Sequence, residues 1–236
     1  MNTPNFVLYW SPGSCARVPL IALEEIGVEY EARLLARGDA SSFADYTREV
    51  NPKGKVPALL VDGRLITENP AIETYLDKRF PDARLLPQDP EGGLDALIMM
   101  SWFAAGIHPM ITRSRFPRNV SSVPESYDSI REIALNNLRD SFGQIEDLLS
   151  DGREWLFGDW TILDAYLLWL WFRAMGSGLT GAEFPKVDDL ARRCQSRPSA
   201  TRIIDLEAKA YADLQQAGKA MPNPPPLQAG WLPEPV

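Results

Sequence analysis

A small mixed α/β domain followed by an all-helical bundle is the fold class this sequence predicts. Three observations carry that expectation. Strand and helix patterns alternate over the first eighty residues. A Pro-, Gly- and Asp-rich stretch, "FPDARLLPQDPEGG", then interrupts the chain. Beyond it the strand signals fade and the apolar residues fall at helical spacing. The expected division is 1–82 for the α/β domain, 83–90 for the linker, 91–217 for the helical domain and 218–236 for a proline-rich tail.

"FVLYW" reads as a buried strand. A helix follows it, with Val18 and Ile21 on one side, Glu24 and Glu25 on the other, and Gly27 in the usual closing position. "YEARLL" alternates and suits a second strand. "VPALLV-DG-RLIT" is a hairpin, because Asp62-Gly63 fits a two-residue turn that demands positive φ. A helix from about Asn69 to Lys78 ends before Pro81. In the second half, helices are expected around 94–116, 125–150, 161–175, 187–196 and 199–217. Within "WTILDAYLLWLWFRAMG", Thr161 and Asp164 form a capping-box variant, and the apolar residues that follow on every side predict a central helix. The tail "MPNPPPLQAGWLPEPV" is too rich in proline for helix or sheet, and its Trp231 is a candidate to close over a pocket.

A formal net charge of -8 argues against nucleic acid or an anionic membrane as a partner, since both need excess Lys and Arg. An anionic ligand must instead be held by a local set of donors. Cys15 and Cys194 follow no disulfide or zinc spacing, and the single histidine, His108, rules out a His-rich metal site. No metal is expected. "MNTPNF" lacks the features of a leader, and the longest apolar run, "AYLLWLWF", is far below the roughly 20 residues of a bilayer span. The expectation is a cytoplasmic protein.

The stretch "SPGSCAR" gathers Ser11, Ser14 and Cys15 where the first strand gives way to the first helix. Pro19 tolerates only a helix's opening turn, so the helix should begin at about Cys15–Val18, with Ser14 at or before the cap and free amides beside it. Such a terminus attracts anions, and a thiolate is an anion. Lowering a thiol's pKa from about 8.5 to about 6.5 requires about 2.7 kcal/mol. A helix terminus supplies at most about 2 kcal/mol, and a hydrogen bond to a charged group about 1.5–3 kcal/mol. Terminus plus one hydroxyl or amide bond therefore suffices. The competing reading is a serine that merely caps its own helix.

Further along, Val56-Pro57 heads a strand, an unusual place for proline. Glu68-Asn69 falls where the hairpin meets the next helix, another amide-rich terminus, with simple capping as the alternative for Asn69. In the helical half, "GIHPMITRSRFPR" holds Arg113, Arg115, Arg118 and Phe116, which can steer an aromatic acceptor bearing a negative charge or can equally be surface and interdomain charges.

"LYWSPGSCAR", "NPKGKVPALLVDG", "TENPAI" and the Thr161–Asp164 box, in that order, resemble the cytosolic glutathione S-transferase family over roughly residues 5–210. The resemblance implies a thioredoxin-like N-terminal domain followed by an all-α helical bundle, glutathione as co-substrate, and a homodimer. It implies that Val56, before a cis Pro57, pairs main chain to main chain with the cysteinyl part of glutathione. Glu68 and Asn69 would hold the γ-glutamyl end, although the family usually has Ser where Asn69 stands. Lys53, with Lys55 or Arg17, would meet the glycine carboxylate. At the sulfur two classes compete. "LYWSPGSC" is similar to the bacterial beta class, whose cysteine falls on Cys15 and whose second-domain histidine falls on His108, although Pro109 replaces the lysine common there. "PGS" is also similar to the serine-type classes, which puts the activating hydroxyl on Ser14. We place Ser14 first, then Cys15, with Ser11 a further candidate. His108, Arg113 and Phe116 are the acceptor-side candidates.

The function this implies is glutathione-dependent transfer to a small apolar electrophile, including aryl ether cleavage or dehalogenation. The alternatives are thiol-disulfide exchange through Cys15 and a non-catalytic binding module of the same fold.

Overall fold

The computed structural model describes residues 5–220 and 231–232. Two compact units emerge. The first holds the chain up to Leu85 and takes it up again from Ser196, and the second holds Leu86–Gln195.

The first unit runs β1 (Phe6–Trp10), α1 (Arg17–Ile26), β2 (Glu31–Leu34), α2 (Ala40–Glu49), β3 (Ala58–Val61), β4 (Arg64–Thr67) and α3 (Asn69–Arg79). The sheet order is β2-β1-β3-β4, with β1 parallel to β2 and antiparallel to β3. All of β1 is buried, as a short apolar run flanked by two strands requires. The β3–β4 hairpin turns on Asp62 and Gly63, at φ 49° and 84°, the pair of positive angles this two-residue turn needs. α1 closes on Gly27 at φ 73°, whose amide donates to the Leu23 carbonyl. One element went unforeseen. α2 buries only Tyr46, so it has no apolar stripe to betray it, and its visible signal is Asp39, whose carboxylate accepts from the Ser42 amide at the helix start.

α9 (Pro198–Gln216), grouped with the bundle on sequence grounds, belongs to this first unit. It packs along α1, where Arg197 and Ser199 both bond Glu25. Its end is tied to the β2–α2 loop by a Lys219–Asp39 ion pair of 3.0 Å.

In the second unit the single helix expected at 94–116 is α4 (Pro90–Trp102) and α5 (His108–Arg115), joined by the π-helical turn Phe103–Ile107. Pro109 has no amide hydrogen to continue the ladder, which accounts for the break just before it. By length and composition the run Pro90–Arg115 would suffice to cross a bilayer, contrary to the expectation from uninterrupted apolar runs. Only 28% of its most apolar window is buried, and Leu94, Leu97 and Ile98 stand exposed on α4.

α6 (Tyr127–Leu148), α7 (Ile162–Met175) and α8 (Pro185–Gln195) complete the unit. α7 is central, with every residue but Arg173 and Met175 buried. Its capping box forms as expected: the Asp164 carboxylate accepts from the amides of Thr161, at 2.7 Å, and Leu156, at 2.9 Å. Burial pushes that carboxyl up to about 6, against the hydrogen bonds that favour the anion. Most of the tail lies outside the described residues; Trp231 is half-buried.

Candidate active site

The turn between β1 and α1 closes on itself. The Ser11 hydroxyl donates to the Leu35 carbonyl at 2.7 Å, and the Ser14 hydroxyl donates to the Ser11 carbonyl at 2.6 Å. Both serines are buried. The amides of Ser14, Ala16, Arg17 and Val18 all find acceptors inside the turn, namely the Ser11 carbonyl, Ser14 Oγ, and the carbonyls of Ser14 and Cys15. These four of the amides around Ser14 are therefore already committed. α1 begins at Arg17 without a side-chain cap.

Cys15 differs from both serines. Its side chain is half-exposed, and its thiol donates to the Val56 carbonyl across 3.6 Å. Val56 precedes a cis Pro57 at the head of β3. From the other side, the Asn69 amide nitrogen donates to the Cys15 carbonyl at 3.0 Å, while Asn69 Oδ1 is buried with no partner among the described residues. Cys15, Val56 and Asn69 thus converge from three separate stretches of chain. Pro57 adjoins them.

Lys53 and Glu68 also meet. The Lys53 ammonium lies 2.7 Å from the Glu68 carboxylate and 3.1 Å from Thr67 Oγ1, and both long side chains are exposed. Glu68 opens α3 at φ 74°, a left-handed value that costs a non-glycine residue about 1–3 kcal/mol and that clusters at functional sites.

Arg17 requires a correction. It was a candidate for the glycine carboxylate, but its side chain is fully buried and bound to Glu207 on α9, with Nη2 at 2.5 Å and Nε at 3.1 Å. Lys55 keeps an exposed side chain, and its carbonyl accepts from Tyr46 and Asn51.

The acceptor-side candidates all belong to the second unit. His108 is half-buried, with its ring edge-on to Trp169 at 4.7 Å between centroids. Arg113 is exposed beside Met110. Phe116 lies under the guanidiniums of Arg115 and Arg118, at 5.7 and 6.0 Å. Burial lowers Arg115 to about 10, and its Nε and Nη1 have no partner among the described residues.

Two features around this turn escaped the sequence reading: the Arg17–Glu207 pair and the Asn69–Cys15 bond. Nothing in the local pattern links partners 190 and 54 residues apart.

The chain's relationships agree with this geometry. The family model described as "Glutathione S-transferase, N-terminal domain" matches residues 12–79. Glutathione S-transferase GstA of Escherichia coli is 31% identical over 212 residues, 85% of this chain and 98% of that one. A probable maleylacetoacetate isomerase of Caenorhabditis elegans is 37% identical over 45% of this chain, and the match spans only about half (49%) of that protein. A sphingomonad glutathione S-transferase solved with glutathione has a TM-score of 0.73 at 26% identity, over 85% of this chain and 98% of that one. The thioredoxin-like sheet order, the thiol beside Val56-Pro57 and 31% identity over nearly the full length of a named transferase lead to one conclusion: this chain belongs to the glutathione S-transferase family.

Proposed function

We propose that this chain is a glutathione-dependent transferase that binds glutathione along Val56 and the start of α3, stabilises its thiolate beside Cys15, and directs it at a small apolar electrophile. The observation that carries this reading is the 3.6 Å contact between Cys15 Sγ and the Val56 carbonyl, which sets a half-exposed thiol against the backbone where the tripeptide's cysteinyl unit docks. The thiolate attacks the electrophilic carbon, a C–S bond forms, and the leaving group departs with its electron pair. Departure of halide or aryloxide gives dehalogenation or ether cleavage. Addition followed by elimination of the same thiol gives isomerisation, the activity named for the Caenorhabditis relative.

The same contact favours a second reading. Cys15 thiolate can attack a glutathionyl disulfide, breaking the S–S bond and releasing the partner as thiolate; a glutathione thiolate then attacks the mixed disulfide and regenerates Cys15. Cys15→Ala separates the two: conjugation of an aryl halide persists and disulfide exchange vanishes. Because the Ser14 hydroxyl already serves the Ser11 carbonyl, Ser14→Ala should move the thiolate titration of bound glutathione by less than about 0.3 unit, well under the shift expected from losing a hydrogen bond to the anion. A larger rise returns Ser14 to first place. No retention on immobilised glutathione would instead favour a non-catalytic module.

The exposed stripe Leu94, Leu97 and Ile98 on α4 has the spacing of a docking face for a second copy of the chain. Leu97→Glu should convert a dimer into a monomer in sedimentation velocity; an unchanged sedimentation coefficient would contradict that face. Neither Cys15 nor Cys194 is in a disulfide among the described residues, which suits a reducing cytoplasm.

A further inference from the structure

Arg17 is the second residue after Cys15 and lies in the first turn of α1. Its side chain is 0% exposed and that of Glu207 is 1% exposed. A buried cation without its anion is costly, so the pair ties the start of α1 to the middle of α9. The tie reaches the turn directly, because the Arg17 amide donates to the Ser14 carbonyl at 3.1 Å. Position 17 thus has its backbone in the serine–cysteine turn and its guanidinium on α9. We propose that Arg17 and Glu207 are a positioning pair for the thiol at Cys15: α9, through one buried carboxylate, anchors the turn that carries the thiol and cancels the cation that follows it. This inference rests on Cys15 being the thiol at the site.

Other charged and titratable groups on the packed elements do not take over this role. On α3, Glu73 is buried, and that burial pushes its carboxyl well above the usual carboxylate range. Near the far end of α1, Glu25 is paired with Arg197, and Glu24 with Arg202 and Tyr30. Tyr211 on α9 is buried. Lys53 and Glu68, at the opening of α3, neutralise each other. Lys55, next to Val56, is exposed, which leaves Arg17, in the first turn of α1, and its partner Glu207 as the buried charges tied to the turn.

The test reads Cys15 alone, without glutathione. Iodoacetamide alkylation of Cys15 is followed against pH by peptide mass spectrometry, with fully buried Cys194 as the unreactive control. In Glu207→Gln the uncancelled cation should lower the midpoint by at least about half a pH unit, and in Arg17→Met the uncancelled anion should raise it by a similar amount. A pair that only supports packing would leave both midpoints in place. Equal or same-sign midpoints overturn the proposal. If either single variant fails to fold, the double variant Arg17→Met/Glu207→Met restores neutrality at similar volume. It should keep the native midpoint within about 0.2 unit, because the net charge is unchanged. Its alkylation rate at high pH should rise several-fold as the unanchored turn loosens, and a native rate there overturns the anchoring. Because glutathione is absent, these results stand apart from the fate of the transferase reading, which fails or holds on retention and conjugation.

Discussion

Replacing Asp164 with alanine should cost this protein about 3–5 kcal/mol, the sum of two orphaned buried donors and a lost helix cap. The Asp164 side chain is fully buried at the start of α7 and accepts from the amides of Leu156 and Thr161. Alanine removes both acceptors and leaves no water-accessible substitute. α7 depends on this cap more than an amphipathic surface helix would, because it is apolar on all sides and is positioned only by packing and by its N-terminus. The loss is a large share of the roughly 5–15 kcal/mol that holds a typical domain folded. Urea denaturation followed by tryptophan emission checks it, since Trp169 and Trp171 both lie on α7. A midpoint within error of the native one would show that the cap is dispensable. Asp164→Asn, which keeps one acceptor oxygen, should fall between the two.

The second large effect has the opposite sign. Glu73 is completely buried in α3, and neither carboxyl oxygen has a hydrogen-bond partner among the described residues. Burial alone pushes its carboxyl well above the usual carboxylate range. The sign then follows from linkage. A group whose folded-state pKa is raised lends its full stability below its unfolded pKa, and that stability drains away as pH climbs towards the folded value. Each pH unit between the two values costs the native chain about 1.4 kcal/mol. Glu73→Met, similar in volume and without charge, should therefore stabilise the protein, and its advantage should widen from pH 5 to pH 9. Urea midpoints at three pH values in that range provide the check. An advantage that stays constant with pH would mean that Glu73 is ionised and partnered in the folded chain.

Residues whose role is local were legible in the sequence, and residues whose role depends on distant partners were not. The Asp62-Gly63 hairpin, the Gly27 helix stop and the Thr161–Asp164 box each follow from backbone preferences within a few residues, and all are present. α2 was hidden because one buried tyrosine makes no periodicity. The convergence of Cys15, Val56 and Asn69 was expected only through family resemblance, since strand pairing and helix packing bring those stretches together and spacing does not reveal either. The Ser14 hydroxyl looked like a donor for an external anion; the turn uses it internally. Arg17 was a candidate for the glycine carboxylate, but its side chain is buried against Glu207. Only the placement of α9 beside α1 shows why a buried arginine belongs there.

A crystal structure of the glutathione complex bears on the whole account most directly. The tripeptide's sulfur should lie within about 4 Å of Cys15 Sγ, the generous limit for a hydrogen bond involving sulfur, with its cysteinyl backbone paired to Val56. Sulfur bound beside Ser14 Oγ instead, or a tripeptide that leaves Val56 untouched, would contradict it.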